Sequence, residues 1–278
     1  MRFTKMQGIG NDYIYVNCLE EKVKNPQALA KAMSKRHFGV GADGLVLIER
    51  SAVADFGMRI FNADGSESEM CGNATRCIAK YVFERGFTDK TELTLEAKGG
   101  LRFLWLNIEN GEVVSVRVDM GSPVLNPRLV PVNLPGEAVL NHHFRLGGHM
   151  YTISCVSVGN PHCVVFCDEP DLIDLSLIGP LFENHSIFPN RTNTEFMKIV
   201  KRDWIRLRVW ERGAGETMAC GTGASAALVA AVLSGRADRL ATVELNGGNL
   251  LVEWRAEDNH VYQTGPAAFV FDGEWLVG

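Results

Sequence analysis

The sequence predicts an α+β fold built from two similar, strand-rich halves, and three observations carry that prediction. Short apolar runs alternate with Gly, Asn and Asp turns over most of the 278 residues, the pattern of many short strands. Convincing helical patterns are few. A shift of 149 positions, the separation of Cys71 from Cys220, lays one half of the chain on the other.

Taken in order, the strand-like runs cover 13–16, 44–48, 58–61, 93–96, 113–118, 163–166, 194–197, 205–210 and 243–245. Each is short, apolar and bounded by turn residues, and the N-terminal Met1-Arg2-Phe3-Thr4-Lys5-Met6 also reads as strand. Helical patterns lie at 75–84 and 224–233, with further candidates at 26–36 and 172–182. Few helices among many strands predict curved sheets with the helices packed against or inside them. The Pro-, Gly- and Asn-rich stretch 120–135 is the natural boundary near the middle. At the shift of 149, Gly10-Asn11 meets Gly159-Asn160, Arg59 meets Arg208, and Phe61 meets Trp210. Glu67 then meets Glu216, Cys71-Gly72 meets Cys220-Gly221, and Gly86 meets Gly235. Strand, turn, Glu, Cys-Gly and helix recur in one order without a gap, which reads as a duplicated half.

Composition excludes several classes of function. The 28 basic and 33 acidic residues are evenly mixed, and no basic tract suggests nucleic acid or an anionic membrane. The longest apolar stretch, near 224–233, is too short to span a bilayer. The N-terminus lacks the apolar core of a signal peptide, so a cytoplasmic protein is expected. Seven scattered cysteines, an odd number, argue for reduced thiols over a disulfide framework.

Two blocks concentrate the chemistry. One is Asn62-Ala63-Asp64-Gly65-Ser66-Glu67-Ser68-Glu69-Met70-Cys71-Gly72-Asn73, and the other is Glu211-Arg212-Gly213-Ala214-Gly215-Glu216-Thr217-Met218-Ala219-Cys220-Gly221-Thr222. Each sets a Cys-Gly pair between a turn-rich loop and a helical pattern. The first N–H groups of a helix lack intrahelical partners and carry partial positive charge, so they favour a thiolate and can hold a carboxylate beside it. Forming a thiolate at neutral pH costs roughly 2 kcal/mol from a free pKa of about 8.5, and a helix terminus supplies about 0.3–2 kcal/mol. Paired thiols suit inversion at a Cα: a thiolate removes the proton from one face while a thiol delivers one to the other. Neither a metal nor a pyridoxal lysine is needed, so no cofactor is expected. Glu67 and Glu216 are read as partners of the helix dipoles.

Further segments extend the pattern: Phe3-Thr4-Lys5-Met6-Gln7-Gly8-Ile9-Gly10-Asn11-Asp12, Gly41-Ala42-Asp43-Gly44, Ser157-Val158-Gly159-Asn160-Pro161-His162, Asn190-Arg191-Thr192-Asn193-Thr194-Glu195 and Thr264-Gly265-Pro266-Ala267. With the two cysteine blocks, these resemble the diaminopimelate epimerases in family order along nearly the whole chain. The resemblance implies two pseudo-symmetric domains, each a curved, mostly antiparallel sheet around a central helix, with the active site between them and a homodimer as the assembly. The expected division is 1–119, with 266–278 returning to it, and 120–265. The resemblance also implies epimerisation of LL- to meso-2,6-diaminopimelate with Cys71 and Cys220 as the acid–base pair. Gly72, Asn73, Gly221 and Thr222 are implied to hold the reacting carboxylate. Asn11, Asn62, Asn160, Asn193, Glu211 and Arg212 are implied to grip the amines and the distal end, and His162 and Glu211 to keep the thiols in reactive states. Two departures stand out: Gly44 where many members carry Gln, and Ala74-Thr75 where Gly-Ile is common.

Other readings carry less. Cys155, Cys163 and Cys167, with His162 adjacent, match no ordinary zinc spacing, and these cysteines read as core, as does Cys77. Gly39-Val40-Gly41-Ala42-Asp43-Gly44 fits G-x-G-x-x-G but leads into a strand, which excludes a dinucleotide site. The alternatives are a racemase of the same fold acting on proline, hydroxyproline or histidine, and a catalytically silent amino-acid-binding protein.

Overall fold

The structure, a computed structural model, describes residues 1–276. The chain forms two compact units: Met1–Asp119 joined by the segment from Thr264 onward, and Met120–Gln263. The sequence-based division set the return at 266, and the contacts set it at Thr264.

The first unit contains β1 (Arg2–Gly8), β2 (Asn11–Asn17), α1 (Pro26–Ser34), β3 (Gly44–Glu49), β4 (Phe56–Asn62) and β5 (Glu67–Ser68). It continues through α2 (Gly72–Glu84), β6 (Glu92–Ala97), β7 (Gly100–Glu109) and β8 (Glu112–Gly121). The second contains β9 (Val139–Leu146), β10 (His149–Ser157), β11 (Pro161–Phe166), α3 (Leu175–Glu183), β12 (Asn193–Lys201) and β13 (Trp204–Glu211). It goes on through β14 (Gly215–Thr217), α4 (Gly221–Leu233), β15 (Leu240–Leu245), β16 (Gly248–Trp254) and β17 (Val261–Gly265). Strand β18 (Ala268–Glu274) then pairs antiparallel with β1.

One topology serves both units. β1–β2 is antiparallel, β2–β3 parallel, β3–β4 antiparallel and β4–β6 parallel, with β5 hairpinned onto β4. β10–β11, β11–β12, β12–β13 and β13–β15 repeat those senses in turn, with β14 hairpinned onto β13. Registers repeat as well: Phe61 faces Glu67 in the first hairpin, and Trp210 faces Glu216 in the second. The repeat seen in the sequence is therefore a repeat of backbone pairing.

The helices divide into outer and inner pairs. Strand alternation turns Phe3, Ile14, Val16, Leu45 and Leu47 toward Ala30 and Met33 of α1. In the second unit Phe144, Ile153, Val165 and Phe196 receive Leu175 and Phe182 of α3. There the Phe182 ring meets Phe196 edge-on at 5.6 Å and Tyr151 at 5.2 Å, geometries aromatic pairs favour. The inner helices are α2 and α4. Every residue of α4 from Gly221 to Ala231 is buried, and the helix touches β10, β11, β12, β13, β15 and β16. Its Ala, Val and Leu composition is apolar on all sides, which suits a helix enclosed by its own sheet. Both inner helices close on a left-handed glycine, Gly86 (φ +73°) and Gly235 (φ +70°), where an added Cβ meets nothing and only the backbone conformation demands glycine.

Glu67 and Glu216 differ from expectation. Each pairs across its hairpin, Arg59 Nε to Glu67 Oε1 at 2.7 Å and Arg208 Nη2 to Glu216 Oε1 at 2.7 Å. The cross-strand register puts each arginine within reach of its glutamate, so these ion pairs clamp the loops that lead to the cysteines. Among the described residues no helix is long and apolar enough to cross a membrane.

Candidate active site

Each hairpin delivers a cysteine to the N-terminus of an inner helix. Cys71 is the N-cap of α2 (φ −143°, ψ 114°), and Cys220 is the N-cap of α4 (φ −127°, ψ 113°). Both backbones are extended at the cap and turn helical at the following glycine. Gly72 and Asn73, like Gly221 and Thr222, thereby occupy the first two helical positions, whose N–H groups have no partner within the helix.

Around Cys71 a chain of side chains fixes the geometry. Its Sγ donates to Asn11 Oδ1 at 3.4 Å, and the same oxygen accepts from Asn73 Nδ2 at 3.2 Å. Asn11 Nδ2 in turn donates to Asp43 Oδ2 at 2.9 Å, which sets the orientation of the amide. Asn73 Oδ1 accepts from Arg76 Nη2 at 2.7 Å, and Arg76 Nε donates to the carbonyl of Pro266 at 3.1 Å. Arg76 is fully buried. Burial lowers its pKa and, with Asp12 adding repulsion, raises that of Asp43. Gly8 makes room for this layer, since a Cβ there would lie 3.0 Å from Arg76 Nη2 and 3.2 Å from Asn73 Cβ. Asn62 closes the turn before the elbow, its Nδ2 donating to Ser66 Oγ at 3.0 Å.

Cys220 lies in a drier place, 6% exposed. Its Sγ accepts the N–H of Gly223 at 3.4 Å and lies 3.4 Å from Thr222 Oγ1. A helix start alone predicts a lowered pKa, yet this thiol is pushed well above its ordinary value. Burial is the largest cause, followed by the carboxylates of Glu211 and Glu195. A helix terminus is worth at most about 2 kcal/mol, which desolvation of a fully buried thiolate exceeds. Glu211 Oε1 accepts from Thr217 Oγ1 at 2.5 Å, tying the strand end to the approaching loop. Gly221 is required by packing: a Cβ there would lie 2.6 Å from Oε1 of the fully buried Gln263.

His162 is fully buried, with Nδ1 2.7 Å from Glu195 Oε1 and Nε2 2.8 Å from Asn160 Oδ1. Asn160 is only partly buried. Asn193 uses both ends of its amide on the backbone, Nδ2 donating to Pro161 O at 2.8 Å and Oδ1 accepting from Arg212 N at 2.9 Å. It therefore shapes the start of the loop that carries Arg212. The exposed Arg212 donates from Nη1 to Asn190 O at 3.0 Å. Gly44 is crowded: a Cβ there would overlap the carbonyl oxygen of Phe61 and lie 2.8 Å from Tyr13 Cε1. Glycine at this point answers a close approach of β4 to β3.

Four residues with no role in the sequence reading shape these elbows: Asp43, Arg76, Glu183 and Glu195. Glu183 Oε1 accepts from Arg191 Nη1 and from the N–H of Gly213, and Oε2 accepts from Trp210 Nε1, which folds the loop around Arg212. Asp43 and Glu195 lie inside the motifs quoted above and Arg76 three residues beyond one of them, and a search of these stretches for buried charge could have found them. Cys155 and Cys163 face each other on β10 and β11 within the apolar cluster under α3, and strand alternation turns His162 away from them. Burial pushes the Cys77 thiol up to about 11 and, with nearby carboxylates, Cys167 up to about 12.

The fold, with a cysteine capping each inner helix, defines the class first. The whole chain superposes on a phenazine biosynthesis protein of the PhzF family from Bacillus anthracis, with TM-score 0.72, 18% identity and 99% of that chain covered. A probable proline racemase from Agrobacterium radiobacter K84 gives TM-score 0.73 at 15% identity, covering 100% of this chain and 93% of the other. At such identities the likeness is one of fold. Sequence narrows it further: the profile of the diaminopimelate epimerase family matches residues 3–126 and 154–270. The diaminopimelate epimerase of Acetivibrio thermocellus is 54% identical over 274 residues, covering 99% of this chain and 98% of that protein. The chain belongs to the diaminopimelate epimerase family.

Proposed function

We propose that this chain is an isomerase that interconverts LL- and meso-2,6-diaminopimelate without a cofactor, one of Cys71 and Cys220 removing the α-proton and the other returning a proton to the opposite face. The observation that carries this reading is the pair of cysteines at equivalent N-caps of two inner helices. The relatives named diaminopimelate epimerase supply the substrate.

The chemistry follows from the local geometry. The N–H groups of Gly72, Asn73, Gly221 and Thr222 lie in the first turn of their helices, at the positive end of the helix dipole, so they bind the α-carboxylate and take up charge as the α-carbon loses its proton. Cys220, buried beside Glu211 and Glu195, is held as a thiol and is suited to deliver a proton first. Asn11 and Asn73 place Cys71 through the hydrogen bonds described above. Arg212 carries a guanidinium that can grip a distal carboxylate through two parallel bonds, and Glu211 can pair with an ammonium. Asn62, Asn160 and Asn193 complete the grip, and His162 acts through Glu195 and Asn160. The family resemblance supports a cytoplasmic homodimer serving lysine and peptidoglycan precursor synthesis, and sedimentation velocity tests the assembly.

The deciding experiment is α-proton exchange in deuterated water with a panel of amino acids. Exchange and inversion with LL- and meso-diaminopimelate, and none with proline, is the expected result. Exchange with proline and none with diaminopimelate overturns the reading.

A further inference from the structure

Glu195 is a buried acid for which the proton transfer just described has no direct task. It lies on β12, fully buried, with Oε1 2.7 Å from His162 Nδ1 and with Oε2 making no hydrogen bond among the described residues. Burying a carboxyl group with one oxygen unsatisfied is costly, so the site is retained against a penalty. The backbone also makes way for it. A Cβ on Gly223, in the first turn of α4, would lie 2.8 Å from Glu195 Oε1 and 3.3 Å from Cys220 Cβ, so glycine there lets the carboxyl group reach the cysteine elbow.

The hydrogen bonds determine where protons must be. Asn160 Oδ1 can only accept, so His162 Nε2 carries a hydrogen. The short contact between Nδ1 and Oε1 holds a second proton between them. Glu195 and His162 therefore share two protons and are together neutral. With Oδ1 taken by the imidazole, the Asn160 amide is pinned, and its Nδ2 group makes no hydrogen bond among the described residues. Among the described residues the first unit has no such relay. At the shift of 149, Tyr13 and Val46 stand where His162 and Glu195 stand, while Asn11, the counterpart of Asn160, is oriented by Asp43 and turns Oδ1 to Cys71. Equivalent parallel ladders, Tyr13 opposite Gly44 and His162 opposite Asn193, thus carry different devices.

We propose that Glu195 is a positioning residue of this centre: it fixes the tautomer and ring orientation of His162, and through His162 Nε2–H it locks Asn160 with its amide donors turned to the ligand. Those donors fit an acceptor on the amino-acid substrate, a carboxylate oxygen in chemical class. The proposal rests on the epimerase reading for the identity of that ligand.

The test has two arms. In ligand-free protein, 15N-edited NMR of the imidazole rings, with His162 assigned from the H162Q spectrum, should show Nε2 protonated. In E195Q the His162 Nδ1 resonance should move. For kinetics, E195Q should raise KM for LL-diaminopimelate about tenfold, the scale of one lost hydrogen bond to a ligand, with a smaller change in kcat. N160A should show the same rise, and E195Q should add less than twofold in the N160A background, because the two act in series. An unprotonated Nε2 in the wild-type protein, or equal and independent effects of E195Q and N160A, overturns the proposal. The NMR arm needs no substrate, and its wild-type reading leaves Glu195 unchanged. A wild-type enzyme inert toward diaminopimelate therefore refutes the substrate reading alone, and the ring-nitrogen result decides on Glu195.

Discussion

Removing one thiol at a time separates proton abstraction from inversion. Cys220→Ala deletes a single buried sulfur and the cap contact from the Gly223 N–H, a long bond at 3.4 Å. Losing a cap costs about 0.5–2 kcal/mol and losing a small buried group about 1 kcal/mol, against a typical domain stability of 5–15 kcal/mol. The variant should therefore remain folded. Cys71→Ala is milder for the fold, because Cys71 is only partly buried and makes no side-chain cap bond. Catalysis should respond differently, since removing a general acid or base costs about 10²–10⁴-fold. Each single variant keeps one thiol, and that thiol still reaches one face of the α-carbon. Inversion should fall by at least 10²-fold, while exchange of the α-proton with deuterated water persists for one stereoisomer. C71A and C220A should retain exchange with opposite isomers. Mass spectrometry of deuterium uptake, with chiral chromatography of the product, reads both quantities, and circular dichroism confirms folding. Inversion within tenfold of wild type in either folded variant would refute the two-thiol chemistry. So would both variants exchanging the same isomer.

Two further tests address the framework. Burial raises the Cys77 thiol from its ordinary value of 9.0 to about 11, so the unfolded chain releases this proton first as pH rises. The contribution of the thiol is full below about pH 9 and is lost through about pH 11, a loss of about 3 kcal/mol. Urea unfolding of wild type and C77A across pH 7–11 should show that difference in slope, and parallel curves would contradict it. Gly44→Ala forces a Cβ against the Phe61 carbonyl and the Tyr13 ring, neither of which is the free end of a flexible chain. It should cost about 2–3 kcal/mol in urea unfolding, the upper range for overpacking, and an unchanged midpoint would show that β3 and β4 part easily.

Much of this protein could be read before it was folded. The apolar runs and turn residues located strands, and the helical patterns at 26–36, 75–84, 172–182 and 224–233 correspond to α1, α2, α3 and α4. These signals are local, set by side-chain period and by Gly and Asn at turns. The shift of 149 was legible for a related reason, because duplicated elements keep their spacing. The Cys-Gly pairs were legible as helix starts because capping depends on a few consecutive residues.

What lay beyond the sequence depends on partners brought from far along the chain. Cys220 read locally as a candidate thiolate. Its burial and the nearness of Glu195 come from the sheet wrapped around α4, and they reverse the sign of the pKa shift. Asn193 read as a ligand-binding amide, and the parallel pairing of β11 and β12 adds what the sequence did not show, bonds to Pro161 O and Arg212 N. Glu195 and His162 are 33 residues apart and meet only because those two strands lie side by side. Sequence alone determined the strands, the helices, the repeat and the two thiols, since each is a short-range pattern. Tertiary structure decided which charge is buried, which amide is free and which proton is shared, since those depend on dielectric and on neighbours that only the folded sheet assembles.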